Sequence, residues 1–164
     1  MKSLHALKSV LAVAVISVLL FSACAAKKDS VALFKSNVEG KNWQLALVKA
    51  ASDNNTVIFD FKKQDPKKFS DIYTIMFDGE KAFGKAAPNR YIAPYTLGKD
   101  FAITFKPIAG TLMMGIFTPE GLSEHEYFQL LQNVSSWKLN NDAQLILNSG
   151  DKVLIFAPTN IPAK

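Results

Sequence analysis

The sequence is short of the residue types that most enzymes and metal sites use. It contains a single cysteine, Cys24, and only two histidines, His5 and His125. A zinc site normally needs three or four histidine or cysteine ligands, and a hydroxyl or thiol nucleophile needs a base beside it. We therefore expect no metal, no cofactor and no enzyme activity. We interpret His125 as part of a solvated helix cap.

Arginine is almost absent, and charge of either sign is sparse. Charged residues make up 20% of the chain, the formal net charge is +5, and Arg90 is the single arginine. Nucleic-acid grooves favour arginine forks and clustered positive charge, so we expect no nucleic-acid partner. Hydrophobic residues make up 49% of the chain, which excludes a disordered protein. The length of 164 residues suits one domain.

The N-terminal hydrophobic run is too short to span a membrane. Residues 10–21 are uncharged and almost wholly apolar, whereas a transmembrane helix needs about 20 apolar residues. Lys2 and Lys8 precede this run, and small residues follow it, which is the pattern of a cleaved signal peptide. We therefore predict a signal peptide over residues 1–23 and an exported protein.

Cys24 follows this segment directly, after Phe21, Ser22 and Ala23. The pattern resembles the bacterial lipobox, which implies a diacylglyceryl thioether on the Cys24 sulfur, cleavage before it, and acylation of the new amino group, as by palmitate. Several acyl chains anchor a protein stably where one does not. We expect a lipoprotein held in a membrane of the bacterial cell envelope. Ala25 favours the outer membrane, and plain secretion is the alternative.

The exported chain shows the alternation of a β protein. We predict a tether over residues 24–39, a domain over 40–158 and a tail over 159–164. Apolar residues recur at every second position in several short segments, which is typical of half-buried antiparallel strands. About eight such segments and one late helix predict a partly closed, barrel-like antiparallel sheet with one packed helix. The expected core includes Trp43, Phe59, Ile75, Phe101, Ile103, Phe105 and Leu147.

Two later segments have distinct patterns. Residues 111–117 are apolar at nearly every position, which predicts a strand covered on both faces and favours a core position for Met113. Residues 123–134 predict the helix, because Ser123 and Glu126 fit a capping box and apolar residues follow at helical spacing. Gly79 and Gly84 are interpreted as turn residues.

The order of motifs resembles that of the META domain, the fold of HslJ-like heat-shock lipoproteins. The family opens with Trp and, two positions later, Leu. Its central Gly-Cys-Asn motif leads to a Tyr and is followed by a Thr-x-Met-x-Cys pattern. Here Pro88 and Gly115 stand at the two cysteine positions, which hints that these positions lie close together in relatives. The matching residues are Trp43, Leu45, Asn89, Tyr91, Tyr95, Thr111, Met113, Glu126, Phe128, Leu130, Leu131, Trp137, Leu139, Leu145, Leu147 and Phe156.

The resemblance implies a barrel-like fold and a link to envelope stress, but no known reaction. Two functions stay open: an interaction module that binds a protein, and a carrier that holds a small hydrophobic ligand in the partly closed barrel. Candidate binding residues are Asn89, Tyr91, Tyr95 and Met113. Tyr91 and Tyr95 are four apart and share one strand face, so Arg90 belongs to the other. Arg90 could hold a carboxylate or phosphate, but we favour a surface role.

Overall fold

A computed structural model describes residues 29–53, 55–115 and 117–163. Cys24 and the predicted signal peptide lie outside the described residues. None of the helices in the described ranges is long and apolar enough to cross a membrane. The strands are β1 (Asn42–Ala50), β2 (Val57–Asp60), β3 (Thr74–Asp78), β4 (Lys81–Lys85), β5 (Arg90–Leu97), β6 (Ile103–Phe105), β7 (Ala109–Gly110), β8 (Val134–Leu139), β9 (Leu145–Ser149) and β10 (Lys152–Pro158). The helices are α1 (Ser30–Asn37), α2 (Pro66–Phe69) and α3 (Glu124–Gln132).

Eight of these strands form a nearly closed antiparallel barrel. They follow one another in the order β6-β5-β4-β3-β1-β10-β9-β8, while β2 adds to β1 and β7 adds to β5. The barrel has one unsealed seam, between β6 and β8. A single bridge, Ala102 to Ser136, and one hydrogen bond from the Trp137 N–H to the Phe101 carbonyl (3.0 Å) span it. The predicted fold class is confirmed.

Aromatic side chains fill the interior of the barrel. Trp43, Tyr73, Tyr127, Phe59 and Phe77 are among the largest fully buried side chains. Several of these rings meet a neighbour edge to face, as Phe59 meets Tyr73 (centroids 5.3 Å apart), which is a favoured geometry for aromatic pairs. Among the described residues, every buried side-chain nitrogen or oxygen has a hydrogen-bond partner. The interior is therefore a packed core.

Two of the helices, α1 and α3, pack their apolar side chains into the core of the barrel. α1 lies inside the segment predicted as a tether, and its Phe34 is fully buried, with its ring centroid 5.0 Å from Phe77 and 4.9 Å from Trp137. α3 begins with the predicted capping box: the Glu126 N–H donates to the Ser123 hydroxyl (3.3 Å), and the Glu126 carboxylate accepts from the Ser123 N–H (2.8 Å). This helix confirms the predicted one.

Four expectations are wrong. Residues 111–115 form no strand, and Leu112, Met113 and Met114 are 100%, 61% and 96% exposed, so the expected core position of Met113 is a surface position. Phe101 is 38% exposed, whereas the other expected core residues are buried. Gly84 lies within β4, paired with Tyr91, and not in a turn. This strand position needs glycine because a Cβ there would collide with the Tyr91 ring and the Thr74 carbonyl.

Candidate functional site

The candidate residues Tyr91 and Tyr95 point into the barrel from β5. The burial along β5 alternates, so Tyr91, Ala93 and Tyr95 are buried while Arg90 and Ile92 are exposed. This confirms the predicted facing of the two tyrosines and of Arg90. Tyr95 lies at one end of β5, where its hydroxyl donates to the Glu39 carboxylate (3.0 Å). Burial and this neighbouring carboxylate raise the pKa of Tyr95.

Tyr91 belongs to a buried tyrosine cluster, defined by Tyr73, Tyr91 and Tyr127. The Tyr91 hydroxyl donates to the Thr74 carbonyl (3.0 Å) and lies 3.0 Å from the Tyr127 hydroxyl, and Tyr73 donates to the Leu122 carbonyl. Burial raises the pKa of all three hydroxyls well above their ordinary value. They are therefore neutral at physiological pH, and their hydrogen bonds join β3, β5 and α3.

Asn89 fastens an exposed loop to the barrel. Its Oδ1 accepts from the Thr111 hydroxyl (2.7 Å) and from the Met113 N–H (2.6 Å). Its Nδ2 donates to the Met113 carbonyl (3.2 Å) and to the Glu124 carboxylate (2.7 Å). All four hydrogen-bonding positions of the amide are thus occupied. The candidate residue Asn89 is a clamp between β5, the loop and the first turn of α3.

The clamped segment, residues 111–115 with Phe117, is named the apolar loop. Leu112 and Met114 are almost completely exposed, and Phe117 is 54% exposed, beneath the Lys68 ammonium 4.3 Å from its ring centroid. Large apolar side chains that protrude together from a rigid backbone mark interaction sites more often than single exposed residues do. The candidate residue Met113 belongs to this loop.

The two positions where the family has cysteines are in contact in this chain. A Cβ added at Gly115 would lie 3.1 Å from the Pro88 Cδ. Pro88 directly precedes Asn89, so this contact and the Asn89 clamp hold the same part of the loop. The two positions therefore lie close together in this chain, and their closeness in relatives stays a prediction.

Arg90 lies on the outer face of the sheet formed by β4 and β5. Lys85 is its partner across the two strands, and the Lys85 ammonium bonds the Asp71 carboxylate at 2.6 Å. Beside Arg90 runs an apolar cleft of about 470 Å³, whose walls include Phe83, Ile92, Ala109 and Ala163. The sequence predicted the outward facing of Arg90 but not the cleft, because the cleft depends on the C-terminal tail.

The C-terminal tail reaches this cleft through Asn42. The Thr159 N–H donates to the Asn42 carbonyl (2.9 Å), and the Ala163 N–H donates to the Asn42 side-chain oxygen (3.1 Å). These bonds bring Ala163 across the sheet, where it is 2% exposed. A single asparagine such as Asn42 is too common in sequences to have predicted this contact.

His125 and Glu126 form ordinary surface contacts. His125 is exposed, and its ring lies 2.9 Å from the Gln129 amide. Two hydrogen bonds from Ser123 lower the pKa of Glu126, as expected for a carboxylate in a capping box. Within the described ranges, no group of three or more histidine, cysteine or acidic residues could hold a metal ion.

Comparison with known proteins gives the same fold. The family model of the META domain matches residues 36–160. The NMR structure of a protein from Burkholderia xenovorans superposes with a TM-score of 0.59 at 22% sequence identity, covering 85% of this chain and 95% of that one. No curated protein matches the chain.

Proposed function

We propose that this chain, which belongs to the META domain family, is a lipid-anchored, non-enzymatic protein of the bacterial cell envelope that binds a protein partner. The observation that carries the proposal is the apolar loop, in which Leu112 is 100% and Met114 is 96% exposed while Asn89 fixes the backbone between them at Met113. A part in envelope stress is what the family resemblance implies.

A fixed apolar loop favours binding for two physical reasons. Burying a leucine or methionine side chain contributes about 1.5–3 kcal/mol relative to leaving it in water. In addition, a backbone that is already held in place loses little conformational entropy when a partner docks. Asn89 holds both the N–H and the carbonyl of Met113, so the loop presents its side chains in a defined arrangement.

The start of α1 and the apolar loop lie at opposite ends of β5. α1 begins at Ser30, whose hydroxyl donates to the Gly98 carbonyl (3.3 Å) just beyond the end of β5. Asn89, which holds the loop, directly precedes the start of this strand. An eight-residue strand is about 25 Å long. The described domain therefore begins at the end of β5 that lies away from the loop.

A carrier function would have to use the outside of the barrel. The described interior is filled by aromatic rings, among them Tyr73, Tyr127 and Phe59. The cleft beside Arg90, about 470 Å³ and lined by apolar side chains, is the observation that keeps this second candidate. A ligand of lipid size that co-purifies with the domain and is lost in an Ile92→Asp variant would favour it.

The anchor is tested on the protein made in a bacterial envelope. Mass spectrometry of the mature protein should show Cys24 as the acylated N-terminus, and Cys24→Ser should leave the protein uncleaved or release it from the membrane fraction. Density separation of the membranes should place the wild type in the outer membrane. An unmodified Cys24 thiol, or cleavage at another residue, would disprove the anchor.

The partner is tested by photo-crosslinking in the same envelope. A photoreactive residue at position 112 should give one discrete protein adduct, and the same residue at position 57 should not, although Val57 is also an exposed apolar residue (44%). The double variant Leu112→Asp, Met114→Asp should abolish the complex, and Val57→Asp should keep it. Equal adducts at both positions would contradict a specific partner.

A further inference from the structure

The apolar loop contains the two exposed methionines of the described ranges. Met113 is 61% and Met114 is 96% exposed, whereas Met76 is half-buried in β3. Peroxides oxidise the thioether of methionine to a sulfoxide. Because the oxidant must reach a lone pair on the sulfur, exposed methionines react before covered ones. The two most accessible thioethers therefore lie in the segment that is proposed to bind a partner.

The other readily oxidised side chains of the described domain are protected by the core. Both tryptophans and all four tyrosines of the chain are at most 3% exposed. They are Trp43, Trp137, Tyr73, Tyr91, Tyr95 and Tyr127. An oxidant that meets the folded domain therefore acts first on the apolar loop and leaves the aromatic core intact.

The backbone of the loop is held without help from the thioethers. The Asn89 side chain bonds the Met113 N–H (2.6 Å) and the Met113 carbonyl (3.2 Å). The Thr111 N–H donates to the Arg90 carbonyl (3.0 Å), and the Thr111 hydroxyl donates to Asn89 (2.7 Å). A sulfoxide on either methionine therefore changes the surface of the loop and leaves its backbone in place.

Met114 also lines a small apolar cleft. The cleft has a volume of about 230 Å³, and Phe69, Ile72, Pro88 and Phe117 form other parts of its wall. An apolar side chain that docks in this cleft contacts Met114. The oxygen of a sulfoxide is a hydrogen-bond acceptor, and burying such a group without a donor costs free energy. Oxidation of Met114 thus opposes docking at the cleft.

We propose that Met113 and Met114 form an oxidation-sensitive site that switches partner binding off, an inference that rests on the proposed function. A hydroperoxide is the oxidant. Its O–O bond breaks, one oxygen atom forms a bond to the sulfur, the sulfur loses two electrons, and the rest of the hydrogen peroxide molecule leaves as water. The flexible apolar side chain becomes a polar one. A bound partner covers the loop, so the oxidant acts on the free protein and prevents binding.

The modification is reversible. Methionine sulfoxide reductases, one for each sulfoxide epimer, return the side chain to the thioether. Leucine is close to methionine in volume and polarity, and exchanges between the two are well tolerated. A leucine variant of the loop therefore keeps the apolar surface and removes the sulfur, which separates the two properties.

The first measurement locates the oxidation. The protein purified from its envelope is treated with increasing hydrogen peroxide, digested and analysed by mass spectrometry. Met113 and Met114 should each gain one oxygen atom at peroxide concentrations that leave Met76 unmodified. Thermal melts of the treated and untreated protein should coincide, because the oxidised side chains make no contact on which the core depends.

The second measurement follows binding. Protein with a photoreactive residue at position 112 is oxidised, freed of peroxide with catalase, and added to detergent-solubilised envelopes of cells that lack the protein. Oxidation should weaken formation of the adduct by about tenfold or more, and treatment with both reductases should restore it. The double variant Met113→Leu, Met114→Leu should form the adduct equally well before and after peroxide. The matched control Met76→Leu should lose it as the wild type does.

Three results would overturn the proposal: oxidation of Met76 as early as that of the loop methionines, an undiminished adduct from the oxidised wild type, or a leucine double variant that peroxide inactivates like the wild type. An untreated wild type that forms no adduct shows that the proposed partner binding has failed, and this inference falls with it. A full adduct both before and after oxidation keeps the proposed function and ends this inference alone.

Discussion

Residues 91–95 and residues 111–115 are both rich in large apolar side chains, yet Tyr91 and Tyr95 are 3% exposed whereas Leu112 is fully exposed. β5 receives its backbone hydrogen bonds from β4 on one side and from β6 and β7 on the other. In the loop, the Thr111 N–H still donates to the Arg90 carbonyl of β5 (3.0 Å), but residues 112–115 belong to no strand, and the Asn89 side chain supplies the backbone partners of Met113. The supply of backbone partners, more than apolar content, therefore decides which of the two regions is buried.

The largest expected loss of stability comes from removing a large side chain from the buried region. Tyr91→Ala removes a ring that packs on Gly84, Tyr127 and Phe128, and should lower the free energy of unfolding by about 3–5 kcal/mol. Arg90→Ala, one residue away and on the outside, should change it by less than about 0.5 kcal/mol. Urea melts measure both. A large loss for Arg90→Ala with little for Tyr91→Ala would reverse the facing of β5.

The next effect comes from cutting the link between the two regions. Asn89→Ala leaves both backbone groups of Met113 without their partner and removes one of the two hydrogen bonds to the Glu124 carboxylate, which still accepts from the residue 89 N–H. The loss should cost about 2–3 kcal/mol. Hydrogen exchange should accelerate at the Met113 amide. Asn140→Ala is the control, since Asn140 accepts from Asp142 and Gln144 in a solvent-accessible turn. Unchanged exchange at Met113 would show that the clamp does not hold the loop.

The buried region should also destabilise the protein at alkaline pH, whereas residues 111–115 carry no titratable side chain. Burial raises the pKa of Tyr91 and Tyr127 above the ordinary tyrosine value, which is about 10. Above that pH the unfolded chain loses these protons while the folded chain keeps them. Below about pH 10 these tyrosines should therefore leave the free energy of unfolding at its full value. Above about pH 10 the free energy of unfolding should fall by about 1.4 kcal/mol per pH unit for each such tyrosine.

Tyr127→Phe isolates one of these groups. Its unfolding free energy should be less steeply dependent on pH than that of the wild type above about pH 10. Denaturant melts across the alkaline range compare the two proteins. Identical slopes would mean that the Tyr127 hydroxyl is accessible to solvent.

The smallest expected effect on stability comes from the exposed region itself. Leu112→Ser removes a side chain that makes no buried contact, so the free energy of unfolding should change by less than about 0.5 kcal/mol. The same substitution should weaken binding of the proposed partner. A loss of stability comparable to that of Asn89→Ala would show that Leu112 packs against the protein and is no free surface.

Part of the candidate site could be predicted from the sequence. The four-residue spacing of Tyr91 and Tyr95 was enough to predict that both lie on one face of the strand, because side chains on a strand alternate. Their apolar neighbours indicate that this face is the inner one. The role of Asn89 could not be predicted, since two of its partners, Thr111 and Glu124, lie 22 and 35 residues away. The apolar neighbours of Met113 predict a core position, but no local signal distinguishes a covered strand from an exposed apolar loop.

The sequence by itself determined the β class, the late helix and the facing of β5, because period-two alternation and the Ser123–Glu126 capping box are local patterns. Only the tertiary structure decided that β6 nearly meets β8, that Pro88 touches Gly115, and that lysines from β4 and from beyond β6 converge on one face. These features depend on which strands become neighbours. Pairing is set by the balance of all backbone hydrogen bonds and buried area in the barrel, which no single segment contains.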